Sequence, residues 1–133
     1  MKGACLCGAV TVTAPDIPDM NACHCGRCRR WGGGPLLSVH CGSDAVFTGR
    51  EHITVFPSSE WAERAFCATC GTHLYYRLIP ADDFIVPVGL FDEGTPFRFT
   101  EQIFIDRKPG SYAFADATAT LTEAEVFAKY GAE

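Results

Sequence analysis

The 133-residue sequence predicts a mainly β fold: a small antiparallel domain held around zinc, with short helical pieces and a C-terminal helix. Three observations predict it. Short apolar runs recur roughly every ten residues, with Gly, Pro, Ser or Asp between them. Helix signals are few. Seven of the eight cysteines fall into three tight clusters: Cys5-Leu6-Cys7-Gly8, Cys23-His24-Cys25-Gly26-Arg27-Cys28 and Cys67-Ala68-Thr69-Cys70-Gly71. Thiolates one or two residues apart can turn toward one point, and a glycine beside each cluster permits a tight turn.

The elements follow in order. Residues 9–13 alternate around Val10 and Val12 and read as a strand. A short helix is expected over 28–31, stopped by Gly32-Gly33-Gly34. Strands 36–40 and 45–48 are parted by Gly42-Ser43-Asp44, and strand 53–56 ends at Pro57. Residues 64–66 lead into the third cluster, and the aromatic run 73–77 leaves it. Strands 84–88 and 102–106 complete the set. Residues 122–130 are the best helix: Thr122 and Glu125 make a capping-box pattern, Val126, Phe127 and Tyr130 form an apolar stripe, and Gly131 is a plausible stop. The connections are too short for crossovers, so antiparallel pairing is expected.

Length and composition bound the function. The chain has the size of one domain, residues 1–133, and 47% hydrophobic with 20% charged residues is a globular composition. The net charge of −5 argues against nucleic acid, which needs a basic face. The first cluster begins at Cys5, leaving no apolar leader, and no apolar run approaches the roughly 20 residues of a membrane helix. A cytoplasmic protein with no membrane partner is expected. Eight cysteines without an export signal favour metal ligation over disulfides.

Ligand counting divides the cysteines. Two pairs and a trio make seven sulfurs, one short of two closed tetrahedral zinc sites. The economical partition joins Cys5 and Cys7 with Cys67 and Cys70 as a structural zinc. Cys23, Cys25 and Cys28 then form a second site with an open position, as catalytic zinc sites have. A rival partition gives the trio a fourth ligand: His24, Cys41 or a member of another pair. His24 lies between two ligands and is expected to point away; Cys41 reads as a core thiol. Zinc deprotonates a bound thiol, so a low-molecular-weight thiol is a natural substrate for an open three-thiolate site.

At this point the chain resembles a known family, the glutathione-dependent formaldehyde-activating enzymes. The resemblance rests on Gly3-Ala4-Cys5-Leu6-Cys7-Gly8-Ala9-Val10, on Cys23-His24-Cys25-Gly26-Arg27-Cys28-Arg29-Arg30 and on Phe66-Cys67-Ala68-Thr69-Cys70-Gly71-Thr72-His73-Leu74-Tyr75-Tyr76, with Ile103-Phe104-Ile105-Asp106-Arg107-Lys108-Pro109 further on. It implies a zinc-built β-tent, structural zinc on Cys5, Cys7, Cys67 and Cys70, and catalytic zinc on Cys23, Cys25 and Cys28. The implied reaction adds glutathione to formaldehyde, giving S-hydroxymethylglutathione, and is classed with the carbon–sulfur lyases.

Other residues divide between site and scaffold. Arg27, Arg29 and Arg30 surround the trio and are candidates for holding the carboxylates of glutathione, Arg27 or Arg30 before Arg29, since guanidinium forks match carboxylate geometry; they could also offset the charge of three thiolates on one zinc. Trp31, with the glycines after it, is a candidate pocket wall. His73, Tyr75 and Tyr76 are read mainly as packing, and Glu60, Trp61 and Glu63 are assigned no role. The leading reading is a zinc-dependent carbon–sulfur lyase acting on glutathione adducts of formaldehyde or another small aldehyde. Two alternatives stay open: a non-catalytic zinc module that binds a thiol or a protein partner, and a zinc-storage or redox-sensing protein, since thiolates are open to oxidation.

Overall fold

The structure, a computed structural model, describes residues 1–130. Eleven strands lie among them. β1 (Lys2–Ala4), β2 (Thr11–Thr13) and β5 (Val46–Thr48) form a small sheet in the order β1-β2-β5. The others are β3 (Asp19–Cys23), β4 (Leu36–His40), β6 (Ile53–Phe56), β7 (Ala62–Cys67), β8 (His73–Leu78), β9 (Asp83–Pro87), β10 (Arg98–Ile103) and β11 (Ala119–Leu121). They form a large sheet in the order β11-β10-β3-β4-β9-β8-β7-β6. The helices are α1 (Gly26–Gly32) and α2 (Glu123–Tyr130). No helix among the described residues is long and apolar enough to cross a membrane.

Alternation, interrupted in β8 by a bulge at Leu74, gives the large sheet two different faces. From one, Val39, Leu74 and Val86 pack with Val12 and Phe47 of the small sheet, and this is the main core. From the other, Leu36, Tyr76 and Ile85 point toward α1, where Trp31 joins them. The trio's sulfurs, Phe104 and Val126 of α2 pack together next to this second face.

The mainly β class and the C-terminal helix agree with the sequence reading, and strands 36–40 and 53–56 have the expected bounds. The capping box forms: the Glu125 amide donates to Thr122 Oγ1 at 3.2 Å, and the Thr122 amide donates to Glu125 Oε1 at 2.9 Å. Gly131, the expected stop, lies outside the described residues. Helix α1 is longer than the expected 28–31. It ends where Gly33, at φ 87°, donates its amide to the Arg29 carbonyl.

Two expectations need correction. Pairing is antiparallel except around β10, which runs parallel to both β3 and β11. The connections that make this possible are long, residues 24–97 for the first and 104–118 for the second. Neighbouring loops alone could not reveal them. The strand expected over 102–106 ends at Ile103, because Phe104 takes a left-handed backbone (φ 55°, ψ 43°) and Ile105–Arg107 coils into a 3₁₀ turn. A bulky residue rarely adopts that conformation. Phe104 is held in it by burial against the trio, at 2% exposure.

Candidate metal centre

The first two cysteines and the third cluster meet. The Sγ atoms of Cys5, Cys7, Cys67 and Cys70 all lie within 4.8 Å of one another. Cys5 to Cys7 is 3.6 Å and Cys7 to Cys67 is 3.7 Å. A tetrahedron with zinc–sulfur bonds of about 2.3 Å has edges of about 3.8 Å, so the four sulfurs are spaced to hold zinc. Gly8 and Gly71, at φ 79° and 77°, turn the chain directly after each pair. Thr72 joins the two turns: its Oγ1 accepts the Leu6 amide at 3.1 Å and lies 3.2 Å from Cys70 Sγ. Hydrogen bonds from the Thr72 side chain and backbone hold the Cys70 thiol down at about 5.

Cys23, Cys25 and Cys28 form a second group under the same distance limit, and all three are buried. Cys23 ends β3, Cys25 is the N-cap of α1, and Cys28 lies in its first turn. Gly26 does not turn the chain here; it opens the helix. Cys25 Sγ accepts the Cys28 amide at 3.3 Å, as a capping oxygen would. Hydrogen bonds from Cys23 and then Cys28 hold Cys25 down to about 2, whereas its contact with Cys25 drives Cys23 far upward. Soft thiolates at this spacing fit zinc and could supply three of its four ligands.

The rival fourth ligands lie elsewhere. His24 is fully buried and turned from the sulfurs; its Nε2 donates to Gln102 Oε1 and its Nδ1 accepts from the Tyr112 hydroxyl, both at 2.8 Å. Burial lowers its pKa, so the ring is neutral and the tautomer is set by Gln102. Cys41 is a buried core thiol pushed up to about 11 by burial, with Asp83 adding to the shift.

Two openings reach the trio from different sides. A cleft lined by Cys25, Arg27, Arg30, Trp61, Phe104 and Phe127 approaches Cys25. A more enclosed cavity of about 210 Å³, between the second face of the large sheet and α2, reaches Cys23 and Cys28. Arg27 and Arg30 thus stand beside the trio. Arg29 is turned away, with Nε donating to the His24 carbonyl at 2.9 Å. Trp31 stacks on His73 with ring centroids 4.0 Å apart.

Sequence reasoning missed Arg64. Its side chain is 4% exposed, and its guanidinium lies between the rings of Trp31 (4.9 Å) and Tyr76 (4.6 Å). Its two terminal nitrogens point at Cys28 Sγ, at 3.8 and 3.9 Å. No carboxylate among the described residues pairs with it. Three thiolates on a divalent ion leave one net negative charge, and Arg64 is the buried cation facing it. Strand parity was the available signal: Arg64 shares a face with the buried Ala62. Trp61, also given no role, walls the Cys25 cleft.

Residues 1–107 match the family model described as glutathione-dependent formaldehyde-activating enzyme. The chain belongs to that family. A Schizosaccharomyces pombe protein named as an uncharacterized lyase is 34% identical over 127 residues, covering 94% of this chain and 93% of the relative. The crystal structure of a Rhodobacter sphaeroides protein superposes with a TM-score of 0.61 at 28% identity, covering 72% of this chain and 92% of that one. All seven cysteines of the two groups fall inside the stretch matched to the glutathione-dependent formaldehyde-activating family. So does Arg64. Helix α2, which closes one side of the cavity, falls outside it.

Proposed function

We propose that the protein is a zinc-dependent carbon–sulfur lyase of the S-hydroxymethylglutathione synthase type, acting on glutathione adducts of formaldehyde or another small aldehyde. We read residues 1–133 as one domain of this kind, working in the cytoplasm, where thiols stay reduced. One observation carries the reading: three buried sulfurs, short of one ligand, are reached by two separate openings.

In the synthetic direction the thiol S–H bond breaks, a C–S bond forms at the carbonyl carbon, and a proton arrives at the carbonyl oxygen. Zinc held by Cys23, Cys25 and Cys28 would supply a Lewis acid and keep a thiol deprotonated at neutral pH. The chain's own residues do the rest. Arg27 and Arg30 receive the glutathione carboxylates in the Cys25 cleft, Trp61 and Phe104 wall the glutathione backbone, and Arg64 offsets the charge of the thiolates. Solvent exchanges the two protons through the open cleft. Cys5, Cys7, Cys67 and Cys70 hold a structural zinc and take no part.

Cys25→Ser tests this. The variant should keep the wild-type far-ultraviolet spectrum, bind one zinc instead of two, and lose at least about a hundredfold in the exchange between formaldehyde and S-hydroxymethylglutathione measured by NMR. Full activity in that variant would refute the mechanism. Glutathione binding by the wild type without turnover would leave a non-catalytic thiol-binding module.

A further inference from the structure

The two openings onto the trio are chemically unlike, and that difference bears on which aldehyde is used. The Cys25 cleft carries Arg27 and Arg30 against one carboxylate, Glu123, which Arg107 already pairs at 2.8 Å. The cavity at Cys23 and Cys28 carries no arginine or lysine among its lining residues, and its walls include Leu36, Leu78, Ile85, Ile103, Phe104 and Val126. Its far end is acidic: Asp83 and Glu101 line it beside His40. His40 Nδ1 lies 3.5 Å from Asp83 Oδ2, and this contact holds the Asp83 carboxyl below its usual value. Lys129 approaches Glu101 at 3.7 Å from α2.

A carboxylate-bearing tail of glutathione entering this cavity would lose water and meet two carboxylates. The tail belongs in the arginine cleft. What the cavity suits is a neutral apolar group attached to an atom bonded at the trio. Its size bounds that group. A cavity of roughly 150 Å³ lined by Leu, Ile and Phe holds a benzene molecule in another protein, and this one measures about 210 Å³. Formaldehyde carries no substituent and would leave this space unfilled.

We propose that the aldehyde partner bears an apolar substituent of about four to seven carbons, straight-chain or phenyl, seated in the cavity at Cys23 and Cys28. This rests on the lyase reading above. The reaction balances as for formaldehyde: the S–H bond of the thiol and the π bond of the carbonyl break, the C–S bond forms, the carbonyl electron pair takes the proton as O–H, and nothing is oxidised or reduced. The product is a 1-hydroxyalkyl thioether in place of the hydroxymethyl one.

The experiment uses the zinc-loaded full chain with glutathione and a series of aldehydes: formaldehyde, pentanal and benzaldehyde. Adduct formation above the uncatalysed rate is followed by stopped-flow absorbance. Benzyl alcohol, which cannot react, is titrated against the ¹³C-methyl signals of Ile85, Ile103 and Val126. The expected result is kcat/KM for pentanal and benzaldehyde at least tenfold above formaldehyde, with benzyl alcohol shifting those methyl signals. Ile85→Phe fills the cavity and should lower kcat/KM for the two larger aldehydes at least tenfold more than for formaldehyde. If that variant fails to fold, Leu36→Phe fills the space from the neighbouring strand and is read the same way. Turnover of formaldehyde with rejection of both larger aldehydes would overturn the inference and leave the lyase reading intact. No acceleration with any aldehyde would overturn both. Methyl shifts from benzyl alcohol without turnover of the larger aldehydes would also count against it, because binding would then be unconnected to the reacting atoms.

Discussion

The four-sulfur and three-sulfur groups use the same atom type at similar spacing, yet they are built in opposite ways. Cys5 and Cys7 sit about sixty residues from Cys67 and Cys70, so the first group ties together two remote turns, one in each sheet. Cys23, Cys25 and Cys28 come from six consecutive residues and tie nothing distant. Exposure runs against simple expectation. Cys7 of the closed group is exposed, whereas every sulfur of the open group is buried and is reached only through a cleft and a cavity. The lesson is that the two groups differ less in their ligands than in their settings: one joins remote turns, and the other is surrounded by a buried guanidinium, two arginines and an apolar chamber.

The largest test of this contrast is Cys67→Ser. Metal binding that joins remote segments is folding free energy, and a domain of this size is stable by only about 5–15 kcal/mol. The variant should show no cooperative thermal transition at 25 °C by circular dichroism, whereas Cys25→Ser melts normally. Equal behaviour of the two variants would break the comparison.

Next in size is Arg64→Met, which keeps the bulk and removes the charge. Partners just outside a metal's ligand shell typically change affinity 10–100-fold. Zinc at the trio should weaken by about that factor in competition with a chromophoric chelator, while the four-sulfur site holds its ion as before. A parallel weakening of both sites would mean that Arg64 acts on the fold and not on the trio.

Arg27→Ala and Arg30→Ala sharpen the contrast on the substrate side. A hydrogen bond to a charged group contributes about 1.5–3 kcal/mol. Each variant should raise the KM for glutathione about tenfold with kcat within threefold, and both should retain two zincs. A fall in kcat with KM unchanged would place these side chains at the reacting atoms instead.

The smallest effect belongs to Thr122→Ala. Loss of this cap should cost about 1 kcal/mol in urea denaturation. Because Val126 of α2 packs on the trio and not on the four-sulfur group, any change in zinc affinity should be confined to the trio.

Much of this plan was legible in the sequence because cysteine clusters carry their own geometry. Ligand counting favoured pairing Cys5 and Cys7 with Cys67 and Cys70 and leaving Cys23, Cys25 and Cys28 apart, with a fourth ligand for the trio as the rival, and the favoured groups are the ones that converge in space. The Thr122–Glu125 box was readable because capping is local. What escaped is what depends on remote packing. Residues 19–23, Asp-Met-Asn-Ala-Cys, have little β propensity and become a strand because β4 and β10 flank them. Arg64 reads as a solvent-facing charge until α1 lays Trp31 across it. Phe104 sits in a run of β-formers, and only its burial against the trio explains why its backbone leaves the strand. The cavity was invisible because its walls come from five strands and both helices, which no local pattern brings together.

His24 shows what else the trio's segment does. Its amide donates to the Ile103 carbonyl at 3.1 Å, and its ring, between Tyr112 and Gln102, extends a chain of hydrogen bonds to Thr118 Oγ1, which accepts from Gln102 Nε2 at 3.0 Å. Residues 108–118 contain no helix or strand. They are anchored instead by this one imidazole and by the aromatic contacts of Tyr112 and Phe114 around it. One tripeptide therefore faces two ways, its sulfurs toward Cys28 and its imidazole toward the loop. Together with Gln102 and Phe99, the six-residue stretch that carries the three clustered sulfurs therefore anchors that irregular segment.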